Sequence, residues 1–268
     1  MIQELFRIGS FAISPFGVML VVAFFFAYLQ LQRSMTTLGL GDEEDASTIV
    51  FACGFFGILG GKLYYAMLMG DWHLLYDRAG IVWYGSFFGG LAAFLWVVRR
   101  RGLPIARTFD AVGTALPLGY GIGRIGCFLV GDDYGIPSNL PWAMEFRVGL
   151  PPTQAGILRR EYGIDLPSDV ADAAWVAVHP TQLYETLAGL LIWGVALWLM
   201  SRRPKPGNVF LPVIALLALE RFLVEFVRAK DDRFFGDFTL AQLISVVIFL
   251  VALFFAWRNR GGEEPATA

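Results

Sequence analysis

The sequence predicts an all-α polytopic membrane protein, with seven transmembrane helices and a small periplasmic head domain. Three observations lead there. The chain of 268 residues is 56% hydrophobic and 16% charged, with a mean hydropathy of +0.58; soluble domains are roughly 45–50% apolar. Several apolar stretches reach about 20 residues, the length that crosses a bilayer as a helix. Those stretches are apolar nearly all round, where a soluble chain would give each helix a polar face.

The spans read in order as Pro15–Gln32, Ala46–Met69, Ile81–Val98, Ile105–Gly123, Pro180–Met200, Val209–Val227 and Phe238–Trp257. The fourth is the weakest, being glycine-rich with an internal Pro117. Between the fourth and fifth lies a polar segment, Val130–Val178, whose prolines and turn signals mark a small extramembrane cap. The chain therefore divides into an N-terminal membrane part, residues 1–129 with spans one to four, a periplasmic head, 130–178, and a C-terminal membrane part, 179–268, with spans five to seven.

Orientation follows from the basic residues of short loops. Arg33, Arg99, Arg100, Arg101, Arg107, Arg202, Arg203, Lys205, Arg258 and Arg260 fall on one side. The other side holds Arg7, Arg78, Arg228, Lys230 and Arg233. The bias puts the N-terminus outside, the C-terminus in the cytoplasm and the cap in the periplasm, as in a multi-pass protein of the bacterial inner membrane. The acidic run Asp42–Asp45 reads as a solvated cytoplasmic turn. Met1–Ser14 has no basic n-region and no small-residue cleavage site, so the first span is expected to direct insertion uncleaved.

Other classes are disfavoured. A net charge of −2 offers no basic surface for nucleic acid. Cys53 and Cys127 make no disulfide framework. The two histidines, His73 and His179, stand apart without a cysteine cluster, so no metal site is expected.

Three cations remain inside the spans: Lys62, Arg124 and Arg221. A cation within a span costs on the order of 2.5–3.5 kcal/mol by insertion scales, and so carries a function or a partner. Lys62 and Arg221 each sit about two turns from the outer end of their spans, and Arg124 closes span four at its outer end. The three are expected to meet at one level under the cap, where a lipid phosphate of the outer leaflet would lie; the planar arginine fork binds two phosphate oxygens at once. The competing reading is an internal salt-bridge network, for Arg221 and Glu225 are spaced i, i+4 and Arg228 continues their face.

The heptapeptide His179-Pro180-Thr181-Gln182-Leu183-Tyr184-Glu185 opens span five. Pro180 suits a first helical position and Glu185 the positive end of the helix dipole, but a plain helix start does not account for His, Gln and Tyr crowded there. Gly54, Gly57, Gly60 and Gly61 line span two, and Gly119, Gly121, Gly123 and Gly126 flank Arg124. Small residues let helices approach closely; those around Arg124 are also expected to interrupt the helix where it lines a cavity.

These elements resemble the prolipoprotein diacylglyceryl transferases. Gly123-Arg124-Ile125-Gly126-Cys127-Phe128 with Gly131-Asp132 resembles that family's signature, and the heptapeptide at His179 matches its second hallmark. Gly60-Gly61-Lys62 is similar to a Gly-Gly-Arg element and Phe88-Gly89-Gly90-Leu91 to a His-Gly-Gly-Leu element. Arg221 to Arg228 is similar to the family's Arg-x-x-x-Glu-Phe-x-Arg run. The resemblance implies an enzyme that moves the diacylglyceryl group of phosphatidylglycerol onto the lipobox cysteine of a prolipoprotein, forming a thioether and releasing glycerol phosphate, without a cofactor. It implies catalytic roles for Arg124, Arg221, Glu225, Asp132 and His179. Phospholipid binding would fall to Lys62, Arg124, Arg221, Gly89, Gly90 and Tyr184. Glu225, Asp132 and His179 are all candidate proton acceptors, and the sequence does not choose among them.

The departures are Phe88 for a histidine, Phe16 for a tyrosine, Cys127 for an asparagine, Asp132 for a glutamate and Leu217 for a tyrosine. They support an alternative, a non-catalytic or altered-specificity lipid-binding paralogue of the same fold. A transporter is a third reading, weakened by the absence of an internal repeat or of paired broken spans.

Overall fold

A computed structural model describes residues 2–260, except 3, 10, 77–79, 81, 203–204, 231–232 and 237. Arg78, Arg203 and the first residue of the third expected span, Ile81, lie outside the described residues. The elements run β1 (Phe6–Ile8), β2 (Phe11–Ile13), α1 (Pro15–Leu38), α2 (Glu43–Met69), α3 (Trp83–Arg100), α4 (Ile105–Val130), α5 (Ala155–Tyr162), α6 (Thr181–Ser201), α7 (Phe210–Val224), β3 (Arg233–Phe235), β4 (Phe238–Thr239) and α8 (Leu240–Arg260). The all-α expectation is thus amended by two small antiparallel hairpins, β1–β2 and β3–β4.

Five helices, α1, α2, α4, α6 and α8, are long and apolar enough to cross a membrane. Much of their surface is outward-facing and apolar, as at Phe51, Phe55, Leu187, Leu191, Val247 and Leu250. Such helices need a hydrocarbon solvent, and the chain is a polytopic membrane protein.

The residues form two compact units, 24–115 and 1–23 with 116–268. In the first, Leu31, Met35, Ile49, Phe94, Val97 and Ala111 make the core. Its defining contact is a glycine crossing between α2 and α3. A Cβ built on Gly60 would fall on the backbone carbonyl of Gly85, and one on Gly89 would fall on that of Phe56. Backbones that close require hydrogen at both positions. The acidic run expected to be a solvated turn is a helix start. Asp42 accepts from the amide of Asp45 at 3.0 Å, and Asp45 accepts from that of Asp42 at 3.1 Å. This capping box satisfies two free donors, and the first-turn acids suit the positive end of α2. Gly70, at φ 67°, ends the helix in the left-handed region.

In the second unit α4 runs unbroken to Val130, almost two turns past Arg124. The expected interruption is absent, and two of the glycines serve packing. Gly121 meets the α6 backbone at Thr186 and Gly189, and Gly126 lies against Phe16 and Met19 of α1. Beyond α4 comes a small body built on Tyr134, Phe146, Leu158, Val178 and Ala229, with α5 as its one helix among the described residues. Its strand-like bridges matter most for the site. The amide of Gly135 donates to the His179 carbonyl at 2.8 Å, that of Ile136 to Val227 at 2.8 Å, and that of Ala229 to Tyr134 at 3.2 Å. The loop after α4, the entry to α6 and the chain beyond α7 are stitched together there.

The crossing and an open helical glycine give opposite expectations. Gly60→Ala should destabilise the protein by about 1–3 kcal/mol through overpacking. Gly194→Ala on α6, where a Cβ meets nothing within 4 Å, should stabilise it by roughly 0.5–1 kcal/mol. Thermal unfolding in detergent distinguishes the two signs.

Candidate active site

The site lies in the second unit, and its centre is Glu185. This carboxylate is 0% exposed on the first turns of α6. Its Oε1 lies 3.2 Å from Nη2 of Arg124, 3.2 Å from Nη1 of Arg228 and 4.0 Å from Nη1 of Arg221, and it accepts from the Tyr120 hydroxyl at 3.1 Å. The heptapeptide supplies the reason for this placement. Thr181 donates to the carbonyl of Asp133 at 2.7 Å, and the Gln182 amide donates to that of Asp132 at 2.5 Å. The first turn of α6 therefore holds the loop after α4, while Glu185, one turn on, receives the arginines.

Asp133 is the second anion. It takes φ 57°, rare outside glycine but tolerated by aspartate. From there it accepts from Arg124 at 2.9 Å and Arg228 at 2.6 Å, with Lys230 3.8 Å away. Burial alone would push its carboxyl up, but Arg228, Lys230 and Arg124 together hold it down at about 2. The neighbouring Asp132 behaves oppositely, pushed up to about 6 by burial and by the charge of Asp133. Its carboxylate lies within 4.8 Å of the Cys127 sulfur.

Glu225 closes the cluster. Its Oε2 is 2.7 Å from Nη2 of Arg221 and 3.6 Å from Nε of Arg228. Neither contact has the geometry of a hydrogen bond, so they are charge contacts. Its side chain is 1% exposed, which suits orienting Arg221 better than receiving a proton from a substrate. Arg228, expected in a short outer loop, is a buried member of the cluster, its side chain 2% exposed. Arg124 is likewise paired, with Asp133 and Glu185. Arg124 and Arg221 keep open edges, with side chains 18% and 27% exposed. Nη1 of Arg221 makes no hydrogen bond among the described residues.

His179 and Tyr184 lie together, Nδ1 to hydroxyl 3.2 Å, with Trp142 donating to the same hydroxyl at 2.7 Å. They line an apolar groove of about 550 Å³ with Leu219, Glu220 and Leu223 of α7. Burial holds His179 below its ordinary value, so its ring is neutral and able to accept at pH 7. Lys62, Gly89 and Gly90 belong to the other unit, 24–115. Lys62 is half-buried on α2, and Gly89 and Gly90 pack toward the backbones of Phe56 and Cys53. Phe88 is 64% exposed on α3. In the sequence Glu185 reads only as an acid at the positive end of its helix and a member of the heptapeptide, and Asp133, Tyr120 and Glu220 carry no assigned role. Glu220 carried the signal that would have found it, an acid within an apolar span.

Two expectations follow. Glu185→Gln strips the arginines of their shared anion and should cost about 3–5 kcal/mol in thermal unfolding; a loss below about 1 kcal/mol would deny it the central role. For Asp132 the folded carboxyl titrates above its unfolded value of 3.8. Its contribution is therefore intact below that value and lost as pH rises through about 6. Asp132→Asn should melt like the wild type near pH 4 and increasingly above it as pH approaches 7.

The whole chain can be compared with known proteins. Residues 3–258 match the family model described as prolipoprotein diacylglyceryl transferase. The chain is 32% identical to the phosphatidylglycerol–prolipoprotein diacylglyceryl transferase of Bordetella avium (strain 197N), over 97% of this chain and 96% of that protein. The transferase of the same name from Geobacter sulfurreducens is 31% identical over 92% of this chain and 91% of its own length. That from Vibrio vulnificus (strain YJ016) is 33% identical, at 96% and 92% coverage. With the motif arginines and the heptapeptide assembled in one cluster, and with relatives matching end to end, the chain belongs to the prolipoprotein diacylglyceryl transferase family.

Proposed function

We propose that this protein transfers the diacylglyceryl group of phosphatidylglycerol to the lipobox cysteine thiol of prolipoproteins. A thioether forms and glycerol phosphate leaves, the first step of lipoprotein maturation. Family membership and the names of the relatives support the reaction. The observation that carries it to particular residues is the pair of half-open arginines. Arg124 and Arg221 are clamped from behind by Glu185, Asp133 and Glu225, and each keeps a partly exposed edge. A phosphate seated there would complete their hydrogen bonds. Charge accumulating on the leaving phosphate in the transition state is where such preorganised donors act most strongly.

The nucleophile is the substrate's own thiol, whose ordinary pKa near 8.5 leaves it mostly protonated at neutral pH. The arginines supply a positive field, Arg228 and Glu225 hold them in place, and His179 stands neutral in the groove beside Tyr184. Lys62, Gly89 and Gly90 remain assigned to the phospholipid, and Asp132 to the proton acceptors, on the family resemblance. The same reading includes seven membrane crossings, with α3 and α7 added to the five long apolar helices. It places the N-terminus and the head of residues 130–178 in the periplasm and the C-terminus in the cytoplasm of a bacterial inner membrane. Residues 1–129 and 179–268 are then the two membrane parts.

A specific observation favours the second reading, a lipid-binding paralogue without catalysis. Arg124 is already matched by two carboxylates, and Phe88 stands exposed in the place of the family histidine. Rescue of a transferase-depleted strain requires chemistry, which that reading does not supply. Wild-type protein should rescue. The Arg221→Met, Glu225→Gln double variant should fold, because it removes opposite charges together, yet lose thioether formation by about 10²-fold or more. A double variant that transfers at the native rate would return Arg221 and Glu225 to a purely structural role.

A further inference from the structure

The hydrogen count around Tyr120 points to a residue outside every motif. Tyr120 on α4 stands between two acids on different helices, 3.1 Å from Oε1 of Glu185 on α6, and 3.2 and 3.4 Å from the two carboxyl oxygens of Glu220 on α7. A tyrosine hydroxyl has one hydrogen to give, and an ionised carboxylate has none. Glu185 is ionised, since Arg124 and Arg228 both lie 3.2 Å from its Oε1. With Glu220 ionised as well, one contact would set lone pairs against lone pairs. Both contacts become hydrogen bonds when Glu220 carries a proton and donates it to the tyrosine oxygen while Tyr120 donates to Glu185.

The two sides of this bridge differ. Glu220 lines the apolar groove together with His179 and Tyr184. The guanidinium of Arg124 lies over the Tyr120 ring, 5.3 Å from its centroid. Tyr120 therefore links the groove to the arginine cluster. The charged and titratable groups around Glu220 are Tyr120 and Arg124 from α4, Glu185 from α6, Arg221 on its own helix, and His179 and Tyr184 lining the same groove.

We propose that Glu220 is a catalytic acid–base residue, protonated at rest, that exchanges protons between a cysteine thiol in the groove and a phosphate at the arginines through the hydroxyl of Tyr120. The proposal rests on the transfer reading above. The sulfur–carbon bond forms as the glyceryl carbon–oxygen bond breaks, and that electron pair goes to the phosphate. The hydroxyl hydrogen of Tyr120 turns from Glu185 to the leaving phosphate and is transferred to it as the proton of Glu220 passes to Tyr120, and the thiol proton restores Glu220. No further reactant is needed, and the acid is regenerated in each turnover.

The test uses the full chain in detergent with phosphatidylglycerol and a lipobox peptide. Infrared difference spectra of wild type against E220Q should show the carbonyl stretch of an un-ionised carboxylic acid at neutral pH, lost in the variant. Turnover should fall about 10²-fold or more in E220Q and in Tyr120→Phe. Phosphatidylglycerol binding should be unchanged in E220Q, because glutamine can still donate to the tyrosine oxygen. Absence of the band in the wild type overturns the proposal whether or not a variant folds. Native-rate turnover by E220Q sinks the relay while the transfer reading stands. A wild type that transfers nothing sinks both.

Discussion

The structure depends on one buried carboxylate. Glu185 has no contact with solvent, and an isolated ion there would face a desolvation penalty of several kcal/mol. It is tolerable only because arginines from α4 and from the chain beyond α7 converge on it. That convergence constrains everything nearby. Gly121 and Gly189 bring α4 against α6 so that Arg124 reaches it. Thr181 and Gln182 hold the loop that carries Asp133. The backbone bridges at Gly135 and Ile136 bring in the segment bearing Arg228.

A division of labour follows from exposure. Arg228 is enclosed on all sides and can only neutralise and orient. Arg124 and Arg221 each face carboxylates on one side and remain open on the other. Asp132 and Asp133 are adjacent in sequence yet are held at about 6 and about 2, because burial and its neighbour's negative charge raise the first while Arg228, Lys230 and Arg124 overcome burial at the second. Identity of side chain thus says little about protonation here; the partner across the gap decides it.

Much of this was legible in the sequence. The long helices follow from uninterrupted apolar runs, and the signature arginines and heptapeptide identified the residues that assemble. What escaped shares one physical cause. Pairs within one helix face were legible, as Arg221 and Arg228 with Glu225, whereas pairs between distant segments are a property of three-dimensional neighbours. Arg228 read as a loop cation because its partners, Glu185 and Asp133, are 43 and 95 residues away. The glycines near Arg124 read as a break because a glycine that bends a helix and one that seats a neighbouring helix look alike in one dimension. The capping box at Asp42 was visible as an acidic run, but its reciprocal geometry was not.

The stitching of three distant segments also imposes an order on biogenesis. A ribosome delivers Arg124 and Asp133 first, Glu185 some fifty residues later and Arg228 last, so the nascent chain holds an incomplete set of charges until Arg228 is made. A chain stopped before Arg221 has placed Glu185 in the membrane with Arg124 as its only arginine from this cluster. Such a fragment carries an unmatched anion that favours retraction toward water or capture by quality-control proteases. The same cluster that shapes the site therefore stays unbalanced until the segment beyond α7 is made.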